Sequence, residues 1–292
     1  MKKILAVVLV VLMSVAMLAA CSAPAAPSES PAASESAAAS TDAGESAAAS
    51  ESVAAGDSDA VAKIKDAGKL VMLTNAEFAP YEYMGSSNEV EGIDVDICQA
   101  IADELGVELE VVNMDFDGLI PALIGGKGDL VAAGMTVMPE RADSVDFSDP
   151  YADAKQLIVV TKEDPKVSGP DDLAGKTIGV QLGTTGDLYV SKPENVPDAN
   201  VKQYKVPTEA GMDLVNGRLD AIVIDKLPAE NLAASNDKLT TIEMSTDDEQ
   251  YAIATVKGSD LQEVINKVIK QLQDDGKIAE FTTKHVEASK VQ

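Results

Sequence analysis

From residue 69 onward, strand-like apolar runs alternate with segments whose apolar residues recur at helical spacing, and this alternation constrains the fold more than any other feature of the chain. In a first series, residues 69–74 read as a short strand. Asp94 is placed to cap a helix to Leu105, with Val95, Cys98, Ile101, Ala102 and Leu105 on one face and Gly106 as its stop. Residues 107–113 alternate as a strand, and Asp117 is placed to cap a helix through Ile124, with Pro121 near its first turn. Residues 129–133 form a buried strand ending at Gly134, and 156–161 form another. A second series follows: strand 177–181, a turn at 182–186 leading into a helix, strand 201–206, a helix from Thr208 to Gly217, strand 220–225 and a short helix at 228–234. Strands at 239–244 and 251–256 precede a last long helix. Its start carries Ser259 and Gln262 as a capping box, its apolar face is Leu261, Val264, Ile265, Val268 and Leu272, and Gly276 closes it. Strands alternating with helices predict α/β units with mostly parallel sheets, and two such series predict two lobes.

The residues ahead of this pattern read differently. Lys2 and Lys3 precede an apolar run over 4–17, too short for a span of ~20 residues. A basic start, a short apolar core and small residues at its end describe an export signal over residues 1–20. Leu18-Ala19-Ala20-Cys21 is similar to a bacterial lipobox, so Cys21 is the expected lipid-attachment site after cleavage. Residues 22–58 are almost wholly Ala, Ser, Pro, Gly, Glu and Asp, a composition that does not offset its own ordering entropy. Residues 21–58 are therefore expected to be an anchored, disordered tether, with a root-mean-square reach of roughly 30–35 Å. The expected location is the cell surface, on the outer face of the cell membrane. The second cysteine, Cys98, has no partner for a disulfide and reads as a small core residue. The chain carries 23 basic and 49 acidic residues, a net charge of −26, which argues against nucleic acid as a partner.

In α/β folds, ligands gather at the carboxyl ends of strands, where helix N-termini converge. Three features lie there. Arg141 follows the strand end at Gly134 and the turn at Pro139, and a guanidinium is suited to a bidentate grip on a carboxylate. Gly183-Thr184-Thr185 sits where a strand hands over to a helix, offering free amides and two hydroxyls, with neither a P-loop lysine nor a G-x-G-x-x-G pattern. Asp225 ends the apolar run 221–224 and needs a partner, either a ligand ammonium or the start of the next helix. Taken singly, each is also compatible with a surface arginine, a plain turn or a helix cap. Together they complement an α-amino acid, which carries a carboxylate and an ammonium on one carbon.

The segments Thr74-Asn75-Ala76-Glu77-Phe78-Ala79-Pro80-Tyr81-Glu82-Tyr83, Gly92-Ile93-Asp94-Val95-Asp96, Asp117-Gly118-Leu119-Ile120-Pro121-Ala122-Leu123, Ala133-Gly134-Met135-Thr136 with Pro139-Glu140-Arg141, and Asp146-Phe147-Ser148-Asp149-Pro150-Tyr151 occur in that order. With them the chain resembles the polar-amino-acid solute-binding proteins of ABC importers, the family 3 extracellular solute-binding proteins. The resemblance spans about residues 66–284 and implies a two-lobed, periplasmic-binding-protein-like (type II) α/β fold with two hinge crossovers, near 151–155 and 249–253. Lobe 1 would then comprise 59–153 and 252–292, and lobe 2 would comprise 154–251. The resemblance also implies roles. Arg141 would pair the ligand carboxylate with Thr136 and the amides of Thr184 and Thr185. Asp225, the Gly134 carbonyl and the Thr136 hydroxyl would take the ammonium. Phe78 and Phe116 would sandwich the ligand side chain, with Asn75 and Gln181 at its tip. Several relatives carry an acid at the position of Asn75 and Lys or Ser at that of Gln181, so the resemblance does not transfer a particular ligand.

The function expected from these readings is a monomeric, lipid-anchored extracellular receptor. It would bind a polar or cationic amino acid between closing lobes and deliver it to a membrane ABC permease, with no cofactor and no metal. The alternatives are a dehydratase-like enzyme on the same fold and a ligand-sensing surface subunit. One histidine, His285, in a polar C-terminal stretch, gives no basis for histidine acid–base catalysis, and no cluster has zinc-ligand spacing.

Overall fold

The computed structural model describes residues 59–245 and 249–290; the expected export signal, Cys21 and the tether lie outside the described residues. Two five-stranded sheets carry the fold. In the first, the strand order is Glu108–Asn113, Lys69–Thr74, Leu130–Val131, Ala254–Val256, Val145–Phe147. In the second it is Asn200–Tyr204, Thr177–Gln181, Ala221–Asp225, Gln156–Thr161, Leu239–Glu243. The first three strands of each order run parallel, and the others add antiparallel. The βα units that the sequence predicts make the parallel part of each sheet, and the strand that follows each crossover, Gln156–Thr161 or Ala254–Val256, adds antiparallel beside it.

The lobes are joined where the chain crosses twice. Ala152–Ala154 and Glu249–Tyr251 pair antiparallel as a separate two-stranded ribbon, with Glu249 opposite Ala154 and Tyr251 opposite Ala152. Thr136 also bridges to Tyr251, which ties the second crossover to the strand-end loop of the first lobe. Central strands are buried on both faces. Leu70, Met72, Leu73, Leu130 and Val131 are fully buried in one sheet, and Ile178, Val180, Ala221 and Val223 in the other. Such strands hold their C-terminal ends rigidly, and the residues beyond those ends make the cleft.

Helix starts depart from the sequence expectations. Gly92, not Asp94, precedes the helix Ile93–Leu105, and Asp94 is fully buried inside its first turn. Its carboxylate is spent on tertiary partners, accepting from the Gly134 N–H at 2.9 Å and the Tyr151 hydroxyl at 2.7 Å. Asp117 lies in a 3-10 turn, Phe116–Gly118, ahead of the helix Leu119–Ile124 and makes no cap. Thr208 falls inside the helix Pro207–Val215, whose start has no side-chain cap. The Ser259/Gln262 capping box does not form reciprocally: Gln262 instead reaches the Phe147 carbonyl, and Asp260 accepts from the Val61 N–H at 3.0 Å. For Asp94 and Gln262 a longer-range partner displaces the local bond, which is worth only ~1 kcal/mol.

The C-terminal stretch is also helical. After Leu261–Asp274, Gly276 takes a left-handed turn (φ 69°) and a second helix runs Lys277–Ser289. His285 is therefore not in a solvated polar tail but 1% exposed, bonded to the Tyr83 hydroxyl and to Asp96, each at 2.9 Å.

Candidate functional site

Eight of the ten expected ligand-binding residues meet around one small cavity of about 10 Å³: Phe78, Phe116, Gly134, Thr136, Arg141, Thr184, Thr185 and Asp225. They come from both lobes, and the cavity is smaller than the ~300–1,000 Å³ of drug-sized sites. Its first-lobe wall rests on Gly134. The backbone there is left-handed (φ 51°), and a Cβ would lie 2.8 Å from the Phe78 ring, so only glycine lets the strand end pass beneath that ring. Asp94 holds the Gly134 amide from below. Burial pushes the Asp94 carboxyl up to about 6, and the Gly134 N–H and Tyr151 hydroxyl restrain the rise.

Arg141 sits on the short helix Pro139–Ala142 and is 9% exposed. Its guanidinium donates to the Thr136 carbonyl at 2.8 Å and, across the cleft, to the Gly183 carbonyl at 3.0 Å. It also stands 5.4 Å above the Phe116 ring, within cation–π range. Burial pulls its pKa down, and Asp225 and Glu249 oppose that. The buried cation is thus held by carbonyls and a ring face, with its remaining N–H groups suited to a carboxylate that the described residues do not supply.

On the second lobe, Thr184 caps the helix Thr185–Val190: its hydroxyl accepts from the Asp187 N–H at 3.4 Å and donates to the Gln181 carbonyl at 2.8 Å. Gly183 just before it is left-handed (φ 81°), and a Cβ there would lie 3.3 Å from Asp117 of the opposite lobe. Asp225 follows its strand at the start of the helix Lys226–Ser235 but makes no side-chain cap. Instead it accepts from the Tyr251 hydroxyl at 2.6 Å. Burial first, then the nearby Glu249 carboxylate, push Asp225 up to about 7, against the bonds from Tyr251 and Gln156.

Asn75 and Gln181 are the two residues expected at the tip of a ligand side chain. They bond to each other across the cleft, Gln181 Nε2 donating to Asn75 Oδ1 at 2.8 Å, and neither lines the small cavity. Asn75 is tied further to the Met114 carbonyl at 2.8 Å, and the Gln181 Oε1 is buried without a partner among the described residues. With Lys205 pairing Asp115, these bonds hold the lobes together across the cleft.

Three polar residues at the site escaped the sequence reading. Gln156 and Tyr251 are buried beside Asp225, and Glu249 hydrogen-bonds behind the threonines. Tyr251 and Glu249 lie within the segment read only as a crossover, and Gln156 opens a strand otherwise apolar. Their pattern signals connection and core, and their polar heads meet only when the two crossovers pair.

The family model of bacterial extracellular solute-binding proteins, family 3, matches residues 70–288. The arginine-binding extracellular protein ArtP of Bacillus subtilis is 36% identical over 219 residues, covering 74% of this chain and 85% of the relative. A probable histidine-binding protein of Neisseria gonorrhoeae is 34% identical over 235 residues, covering 78% and 87%. Among solved structures, the amino-acid ABC transporter substrate-binding protein AbpA of Streptococcus pneumoniae, bound to L-arginine, superposes with a TM-score of 0.75 at 31% identity, covering 78% of this chain and 98% of that one. All three bear the names of binding proteins, and none that of an enzyme.

Proposed function

The chain belongs to the bacterial extracellular solute-binding proteins of family 3, and on that premise we propose that its cleft captures a polar or cationic α-amino acid for an ABC importer. It is a receptor and not an enzyme. The observation that carries this reading is the pair of opposed charges in one two-lobed cavity: buried Arg141, without a carboxylate partner among the described residues, and buried Asp225, near Glu249. Arg141, Thr136 and the amides of Thr184 and Thr185 take the ligand carboxylate. Asp225, the Gly134 carbonyl and the Thr136 hydroxyl take the ammonium. Phe78 and Phe116 flank the side chain, with Asn75 and Gln181 beyond them, released from each other when a ligand tip arrives. Lobe 1 is residues 59–153 and 252–292, and lobe 2 is 154–251, hinged at the paired crossovers.

Cysteine 21 carries the lipid, and the tether over residues 22–58 stands a monomeric receptor off the outer face of the membrane, within reach of its permease. L-arginine and L-histidine are the first ligands to test, because relatives at 34–36% identity carry those names. A thermal-shift screen against the twenty amino acids tests the reading. A true ligand at 100 times its Kd stabilises by ~2.7 kcal/mol, so one or a few polar amino acids should raise Tm. A flat response to all twenty would refute it.

A further inference from the structure

The hydrogen bonds behind the cavity single out Glu249, a residue of the second crossover. One carboxylate oxygen, Oε2, accepts from the Thr185 hydroxyl at 3.0 Å, from Gln156 Nε2 at 3.3 Å and from the Thr136 hydroxyl at 3.3 Å. Thr136 belongs to the first lobe and Thr185 to the second, and both line the cavity that Glu249 itself does not line. We propose that Glu249 is a positioning residue of the ammonium site: by taking the protons of the Thr136 and Thr185 hydroxyls it turns Thr136 into an obligate acceptor toward the cavity, and its charge beside Asp225 makes that end of the cleft select a cationic head. This rests on the reading of the cleft as an amino-acid site and deepens it.

A hydroxyl has one proton and two lone pairs. With its proton committed to Glu249, Thr136 Oγ1 has only lone pairs to offer a ligand, which suits an ammonium and repels a carboxylate. The Thr185 hydroxyl is committed on both sides, donating to Glu249 and accepting from Gln156 Nε2 at 3.0 Å. That leaves its backbone amide as the donor for an anion. The two ends of the cavity therefore differ in polarity, and a zwitterion has one way to lie in it. The charged groups facing this point are Asp225 and Arg141. Arg141 donates to the Thr136 and Gly183 carbonyls, not to Glu249. Glu249 reaches Asp225 through space and raises its proton affinity.

The test compares ligands that differ only in the α-ammonium. Wild type and Glu249→Gln are titrated by calorimetry with L-arginine and L-histidine. The des-amino acids 5-guanidinopentanoate and 3-(imidazol-4-yl)propanoate are then titrated in competition. Glutamine keeps the length and one acceptor oxygen but removes the charge. A charge-assisted hydrogen bond is worth ~1.5–3 kcal/mol, so the preference for the amino acid over its des-amino analogue should fall roughly 10- to 100-fold. The analogues themselves should bind within about threefold of wild type. Equal weakening of amino acid and analogue would mean that Glu249 only braces the hinge, and would overturn the inference while leaving the amino-acid reading intact. If the wild type binds neither amino acid nor any other of the twenty, the reading itself has failed, and the inference with it. Should Glu249→Gln not fold, Glu249→Asp, which keeps the charge but withdraws it by one methylene, is to show the same selective loss in smaller measure. An unchanged preference in a folded Glu249→Asp variant overturns the inference too.

Discussion

Asp225→Asn sets stability against binding in a way the structure quantifies. The wild-type carboxyl is 4% exposed and has been carried from its ordinary 3.8 to about 7, first by burial and then by Glu249. A raised carboxyl pKa means that the folded state holds a proton the unfolded state has lost. Stability therefore falls as pH rises from about 4 to about 7 and stays reduced above that. At ~1.4 kcal/mol per pKa unit the full cost is roughly 4 kcal/mol at pH 8. Asparagine removes the charge without removing the packing, and its oxygen still accepts from Tyr251. Urea denaturation of the ligand-free protein between pH 4 and pH 8 should show the variant gaining up to about 4 kcal/mol on wild type at pH 8 and close to nothing at pH 4. The same variant should bind amino acids at least tenfold more weakly, because the charge opposite the ammonium is gone. A pH-independent difference, or a variant less stable than wild type at pH 8, would refute the account of Asp225 as a carboxylate kept at a cost for a ligand.

Other outcomes follow from the same geometry. Arg141→Ala should fold and lose binding by about 2–5 kcal/mol, the range for truncating a desolvated charge partner, and Lys should restore little because it lacks the fork; calorimetry with circular dichroism as the folding control measures both. Gly134→Ala pairs a left-handed backbone with a Cβ 2.8 Å from Phe78, so it should lower stability by about 1–3 kcal/mol and weaken binding, read by urea titration and calorimetry. His285→Ala removes the buried partner of Tyr83 and Asp96 and should destabilise the fold by about 1–3 kcal/mol while leaving ligand affinity within a factor of two, since it lies outside the cavity. Cys21→Ala should abolish lipid attachment, so that the protein is shed or left unprocessed; a membrane-bound variant of normal mature mass would contradict the anchor.

The sequence by itself determined the layers. Apolar runs at 69–74, 177–181 and 221–225 read as buried strands, and the face from Leu261 to Leu272 reads as the buried stripe of a helix, which the structure packs on the helices Ile93–Leu105 and Lys277–Ser289; both readings are local periodicities, set by which side chains must leave water. The strand ends, with Gly134, Gly183 and Asp225, were legible for the same reason, because the apolar runs stop there. Tertiary structure decided what each polar group does. Asp94 looks like a cap and becomes the support of the Gly134 amide, Asn75 and Gln181 look like separate tips and bond to each other, and His285 looks solvated and is buried. Glu249 looks like a hinge residue and takes the threonine protons. A polar side chain chooses the strongest partner within reach, and Glu249 and Thr136 are 113 residues apart in the chain yet within hydrogen-bonding distance in the fold. No local pattern records that distance, because it exists only after the two crossovers pair and bring the lobes together.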